Sequence, residues 1–399
     1  MTNAAILGFG VVGSGVARLI TDNYKEVSTL GNDGINIKYI LDLRDFPDSQ
    51  FADRVVHDYN IILNDTDVSV VVEVMGGSHP AYEYTVAALK AGKSVVSSNK
   101  EVVANFGDEF LALAKENGVS YRFEAAVGGG IPVISPMISC IRQNKIGEVR
   151  GILNGTTNYI LTQMFTYGQS FESALKDAQA KGYAERNPDS DILGIDASRK
   201  IAILTALVTG KLLPVDSIHS EGIVNIRSED VKAAEKLGCT IKLVGRCISV
   251  ENKPMVMVAP FLVPNEMPLS SVSGVYNAVE VIGDPLGNVM FYGQGAGAGA
   301  TASAVVGDLC QIMSEKSNTL QPVFEKCADG VPFEDFSSRH YIACRKELGE
   351  KLCEAFGEGS VIENGEEIAV LTKPLKEGDV INTLESFSIS ALSRIRLLA

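Results

Sequence analysis

Short apolar runs alternate with amphipathic stretches along the first third of the chain. Ala4–Leu7 predicts a strand, residues 8–23 a turn and a helix, and Asn36–Leu43 a second strand. Ser69–Met75 (SVVVEVM) is a nearly unbroken run of β-branched residues, the mark of a strand covered on both faces in a parallel sheet. Tyr82–Ala91 reads as a helix, Ser94–Ser97 as a strand and Asp108–Asn117 as a helix. Such β-α alternation over about 125 residues predicts a doubly wound parallel sheet.

Beyond it the helical period returns in Gly194–Leu207, within a region otherwise rich in strands such as Met255–Leu262 and Ala278–Ile282. Thr301–Met313 is one more helix, following a glycine-alanine loop. After a polar stretch at 328–338 the pattern changes again. His340–Cys344, Ser360–Glu363, Glu367–Thr372 and Leu392–Leu398 read as strands, with helices at Glu347–Phe356 and Asp379–Ser386. That βαββαβ order is the split-βαβ pattern of small ligand-binding or dimerising modules.

Composition narrows the function. A chain of 399 residues exceeds one ordinary core. A net charge of −14 argues against nucleic-acid or anionic-membrane partners, both of which need a basic face. The seven cysteines form no CxxC pair and, with four histidines, no zinc spacing, so they read as free thiols in a reducing compartment. No apolar run reaches the roughly 18 residues of a membrane helix, and no basic leader precedes the first strand. The expected location is the cytoplasm.

The chemistry starts at Gly8-Phe9-Gly10-Val11-Val12-Gly13, a GxGxxG that ends the first strand and opens a helix. There the glycines give a tight turn, close approach to a pyrophosphate and close helix–strand packing, and the helix N-terminus faces the phosphates. The second strand ends Asp42-Leu43-Arg44-Asp45. An acid there would bind the ribose of NAD and Arg44 the 2′-phosphate of NADP, so both cofactors stay open. Strand alternation puts Asp42 and Arg44 on one face, where they would also satisfy each other.

Asp196 and Lys200 lie one helical turn apart. They are either a solvated pair worth about 0.3–0.5 kcal/mol or a proton carrier with its carboxylate partner at the head of the stripe through Ile203 and Leu207. Ser198, Ala202, Thr205 and Thr209 form the opposite, more polar face. Glu185, Asp189 and Asp191 crowd a loop with Pro188, which is a hydrophilic turn or a site for a substrate ammonium. Lys100, in a loop after Ser97, is solvated or catalytic, since catalytic groups of open α/β sheets gather beyond the carboxyl ends of strands.

Together these stretches resemble the homoserine dehydrogenase family over nearly the whole chain. The most specific is AQAKGYAERNPDSDILGIDASRK, with Ala178, Gly182, Pro188, Asp191, Gly194, Asp196 and Lys200 in the family's spacing. EVMGG (Glu73–Gly77), Ser98-Asn99-Lys100, LNGTTNYI (Leu153–Ile160) and Gly293–Leu309 support it.

The resemblance implies NAD(P)-linked reduction of L-aspartate 4-semialdehyde to L-homoserine, on the way to threonine and methionine. It implies Lys100 and Lys200 as catalytic residues, and Thr157, Glu185, Asp191 and Asp196 around the substrate. Gly8, Phe9, Gly10, Val11, Val12, Gly13, Arg44, Gly76, Ser98, Lys100 and Gly297 fall at the NAD or NADP site, with a slight lean to NADP. Glu124, Val127, Gly129 and Ile131 fall where the family holds Na+ or K+, through one carboxylate and backbone carbonyls. The expected architecture is a dinucleotide-binding Rossmann domain (1–130, completed by a helix near 301–315), an α+β catalytic and dimerisation domain (131–325) and an ACT-like module (335–399), assembled as a homodimer or homotetramer.

Ala300 departs from the family's usual proline, which would loosen the cofactor loop. The C-terminal module lacks the usual glycine-containing turn after its first strand. The rival readings are another amino-acid dehydrogenase or reductase on this scaffold and a non-catalytic nicotinamide sensor.

Overall fold

The computed structural model describes all residues except 31–33, 252, 315–320 and 358–359, and the side chain of Leu30. They form two compact units. One comprises Met1–Lys145, Ala202–Val215 and Gly293–Cys327, the other Ile146–Ile201, Asp216–Tyr292 and Ala328–Ala399.

The first unit is built on a six-stranded sheet: β1 (Thr2–Leu7), β2 (Ile35–Leu41), β3 (Val55–Val56), β4 (Val68–Glu73), β5 (Ser94–Ser97) and β6 (Tyr121–Arg122). The strand order is β3-β2-β1-β4-β5-β6 and every pairing is parallel. The order reverses between β1 and β4, so a crevice opens beyond their carboxyl ends. The valine run of β4 is buried as its composition requires, with Val70, Val71 and Val72 at most 2% exposed. The Val11–Asp22 helix buries Gly13, Val16, Ala17 and Ile20, spaced to form one stripe. A Cβ on Gly15 would lie 3.3 Å from that of Ala302, so this helix packs closely on Ala298–Ser314. That second helix covers the expected 301–315 except residue 315, which lies outside the described residues.

The second unit centres on a mixed sheet in which Cys239–Val250 pairs antiparallel with both Lys253–Pro264 and Lys145–Ile152. The C-terminal segment adopts the expected βαββαβ order, with strands side by side as Ser393–Leu397, His340–Arg345, Glu367–Leu371, Ser360–Asn364. It does not make a separate sheet: Ser393–Leu397 pairs parallel with Lys253–Pro264, and the strands continue the larger one. Among the described residues no helix is long and apolar enough to cross a membrane.

Candidate active site

At the first βα turn Gly8 has φ +94°, a conformation costly for any other residue. A Cβ on Gly13 would stand 2.0 Å from the Gly8 carbonyl, whereas one on Gly10 would meet nothing within 4 Å. Gly10 therefore leaves open space over the helix N-terminus and, as its N-cap, supplies no side-chain cap. These are the conditions for a bound pyrophosphate. Beside the turn lies a cleft of about 520 Å³ lined by Gly8, Gly10, Asp42, Arg44, His57, Val74, Met75, Gly76, Pro80 and Tyr84, among others.

Asp42 and Arg44 do satisfy each other. One Asp42 oxygen accepts Arg44 Nε at 3.0 Å and the other accepts Nη2 at 3.1 Å and the Phe9 amide at 2.8 Å. The guanidinium, helped by the Phe9 and Arg44 amides, holds the Asp42 carboxyl down at about 2. Arg44 keeps 64% of its side chain exposed at the rim. Asp45 instead meets His57, whose Nε2 lies 3.1 Å from its carboxylate and whose Nδ1 lies 2.7 Å from the Asp42 carbonyl. The Asp42 carbonyl, and then Asp45, raise the His57 pKa.

Lys100 is not a loop lysine. It is the first residue of a helix, Lys100–Glu116, that begins eight residues before the expected Asp108. The cause is Asn99, whose side chain accepts the Glu101 and Val102 amides and fixes the start of the helix. Ser98 donates its amide to the Glu73 carbonyl at 3.2 Å, joining the ends of β4 and β5. Gly297, φ +121°, leads into the Ala298–Ser314 helix.

In the second unit Lys200 is 7% exposed and donates to Asp196 Oδ2 at 2.8 Å and to the Leu153 carbonyl at 2.7 Å. This is not a solvated surface pair. The polar side of the helix is buried too, as Ser198 and Thr205 are 3% and 0% exposed, so the stripe read from spacing underestimates how deeply the helix is enclosed. Asn154 joins three elements. Its Oδ1 caps the Gly155–Tyr167 helix at the Thr157 amide, and its Nδ2 donates to Asp191 at 2.7 Å and Asp196 at 2.9 Å. Thr157 is 1% exposed, and its hydroxyl donates to the Asn154 carbonyl. Glu185 lies on an exposed turn, anchored where Gln179 donates to its carbonyl at 3.1 Å.

Glu124 opens a short 3₁₀ turn, Glu124–Ala126. Its buried carboxylate accepts the amides of Val133 and Ile134 at one oxygen and of Ser135 at the other, capping the Ile134–Ser139 helix. Three amide donors thus take three of that carboxylate's acceptor positions. Among the described residues no cluster of three or more His, Cys, Asp or Glu could hold a metal ion.

A family model described as homoserine dehydrogenase matches residues 132–310, and one described as its NAD binding domain matches residues 8–124. A homoserine dehydrogenase of Synechocystis is 37% identical, over 96% of this chain and 95% of its own length. The chain belongs to the homoserine dehydrogenase family. The family member from Lactococcus lactis is 39% identical, over 82% of this chain and 78% of its own. Among solved structures, the homoserine dehydrogenase of Thiobacillus denitrificans superposes with a TM-score of 0.91 at 32% identity, covering 100% of this chain and 98% of that one. A hyperthermophilic archaeal homoserine dehydrogenase mutant in complex with NADPH gives 0.68 at 28% identity, over 80% and 99%. The first unit is thus a nicotinamide-cofactor domain of this family, and the chain is an oxidoreductase.

Two departures from the family pattern change meaning in the structure. Ala300 lies in the first turn of its helix, where a proline would lack an amide that has no intrahelical partner, so alanine does not by itself loosen the loop. The C-terminal connection does contain a glycine: Lys346–Leu348 forms a 3₁₀ turn and the helix starts at Gly349, where a Cβ would stand 3.0 Å from Ile368. Asn154 and Glu73 were legible in the sequence only as members of LNGTTNYI and EVMGG. Asn154 carried a signal, an N-cap residue opening a helix.

Proposed function

We propose that the chain catalyses the reversible NAD(P)-linked reduction of L-aspartate 4-semialdehyde to L-homoserine. The buried Lys200–Asp196 pair, joined by Asn154 to Asp191, carries this reading, because an ammonium held by one carboxylate can donate to a nascent alkoxide. Lys200 and Lys100 take the catalytic roles, polarising the carbonyl and supplying the proton. Glu185, with Asp191 and Asp196, binds the substrate ammonium. Thr157 shapes the substrate loop through the cap it shares with Asn154.

When bound, the nicotinamide supplies the hydride. Phe9, Val11 and Val12 with the turn glycines hold the pyrophosphate, Gly76, Ser98 and Gly297 line the dinucleotide, and Arg44 reaches a 2′-phosphate. Dual use with a lean to NADPH follows, since Arg44 is exposed but already paired with Asp42. A monovalent cation would be held at Glu124, Val127, Gly129 and Ile131 through one carboxylate and backbone carbonyls. A homodimer or homotetramer and a cytoplasmic location complete the reading, and the C-terminal βαββαβ segment serves as an ACT-like module.

Following NADPH and NADH oxidation by absorbance tests the activity. Turnover with aspartate semialdehyde and none with simple 2-oxo acids is expected. The reverse pattern would transfer the chain to another dehydrogenase reaction, and dinucleotide binding without any turnover would favour a sensor.

A further inference from the structure

We propose that Glu73 is a positioning residue for the reaction, a buried carboxyl that fixes both the cleft wall and the helix carrying Lys100. The second half of this assignment rests on the reading of Lys100 as catalytic. Glu73 ends β4 with no exposure, between the two loops that follow β4 and β5. One of its oxygens accepts the Met75 amide at 2.9 Å, which pins the turn whose Val74, Met75 and Gly76 line the cleft. The other accepts the Ser97 hydroxyl at 2.6 Å. Ser97 Oγ in turn accepts the Asn99 amide at 3.0 Å, and Asn99 Nδ2 donates to the Gly77 carbonyl at 2.7 Å. The ring closes from Glu73 through Met75 and Gly77 to Asn99, Ser97 and back. Asn99 is also the residue that starts the helix at Lys100. A shift of Glu73 would therefore reach the cleft wall and Lys100 together.

The ring also has two protonation states. Ser97, the Met75 amide and Asn99 act on the Glu73 carboxyl, and Tyr121 faces it from β6; none of these groups carries a positive charge. Burial pushes the carboxyl up to about 7. Ionised, it accepts both of its hydrogen bonds, and charge makes them strong. Protonated, it must donate through one oxygen to Ser97 Oγ, and the Ser97 proton turns away. The acceptor available is the Tyr121 hydroxyl, which is fully buried and faces Ser97. One proton enters at Glu73 and the Ser97 hydroxyl reverses, with no other group charged. The hold on Met75 weakens, so the ring is tight above neutrality and loose below it.

Glu73→Gln keeps the shape and locks the neutral state. At pH 8 it should lower kcat by about tenfold, on the scale of a displaced catalytic group. It should raise the NADPH Kd, read by nucleotide fluorescence, several-fold. Both deficits should shrink as pH falls below 7, where the wild type takes up its own proton. Ser97→Ala should weaken both quantities in the same direction, and it carries the test if Glu73→Gln does not fold. Wild-type kcat and Kd at pH 8, or a deficit equal at every pH, would overturn the proposal. Lys100→Ala, assayed alongside, separates the two readings: full turnover there removes Lys100 from catalysis, while the Kd profile still decides for or against Glu73.

Discussion

Lys200 and Asp196 form a hydrogen-bonded ion pair at 2.8 Å with side chains 8% and 4% exposed. Removing the lysine alone leaves a buried carboxylate with less compensation, which costs on the order of 3–5 kcal/mol in comparable sites. Lys200→Ala should lower kcat by about 10²-fold or more, the scale for a lost acid–base group. The control is Lys200→Met combined with Asp196→Asn, which removes both charges. The double variant should regain thermal stability and dinucleotide binding while staying inactive. Recovery of turnover along with stability would make Lys200 structural only.

Asn154 donates to two carboxylates and caps a helix, so its variants separate those tasks. Asn154→Ala loses the cap, worth about 1 kcal/mol, and should lower the melting temperature along with kcat/KM. Asn154→Asp keeps a capping oxygen but sets a third carboxylate beside Asp191 and Asp196. Like charges at this distance raise one another's pKa. Activity of this variant should therefore recover as pH falls and a shared proton restores a donor. A pH profile of kcat/KM parallel to the wild type would show that the amide's donation is dispensable.

Glu185 is exposed and faces the substrate in the proposed reading, where a carboxylate attracts the ammonium in ground and transition states alike. Glu185→Ala should raise KM more than it lowers kcat. Steady-state kinetics with aspartate semialdehyde would show the opposite split if Glu185 transferred a proton.

The sequence was legible where one residue's neighbours decide its state. Ser94–Ser97 lies where its pattern put it, and the β4 run is buried because both faces are covered. Cys239–Val250 lacks a legible buried-strand pattern because it carries Lys242 and Arg246 on a buried strand. Arg246 pairs with Glu148 at 2.7 Å and Lys242 donates to the Val272 carbonyl, partners that only the tertiary fold brings near. The same limit applies to the site. Asp196 and Lys200 could be paired from helical spacing, but Asn154 reaches carboxylates 37 and 42 residues away. The amide partners of Glu124 likewise lie nine to eleven residues on, outside what local spacing shows.

In the proposed reading Arg44 sets cofactor preference through its bond to Asp42. A 2′-phosphate can draw the guanidinium away, since a bidentate phosphate contact replaces a bidentate carboxylate one. Arg44→Ala should then raise KM for NADPH and leave NADH little changed. It also frees Asp42 to bind ribose, so the ratio of the two kcat/KM values should turn towards NADH. An equal effect on both cofactors would exclude the phosphate contact.

The C-terminal segment should lose stability in acid. His340 is fully buried on its first strand, 3.9 Å from Glu377. Glu377 and Glu221 hold Arg396 between them, and Arg394 adds a second guanidinium 3.2 Å from Glu377. Burial lowers the His340 pKa to about 4. The positive Arg396 and Arg394 push the same way, against Glu377 and the Leu375 carbonyl. The folded pKa thus lies below the ordinary 6.5. Above 6.5 the imidazole is neutral folded and unfolded, and its contribution to stability is fully present. As pH falls from 6.5 towards 4 the unfolded chain takes up a proton that the folded chain refuses, and roughly 3 kcal/mol is lost. Glu221 is held below its usual range, since His219 and Arg396 outweigh its burial, and it therefore loses stability only at lower pH. Between pH 6.5 and 5 the melting temperature should fall more steeply for the wild type than for His340→Gln, which has no proton to gain. Parallel curves would mean that the imidazole is protonated in the fold, with Glu377 rather than burial setting its charge.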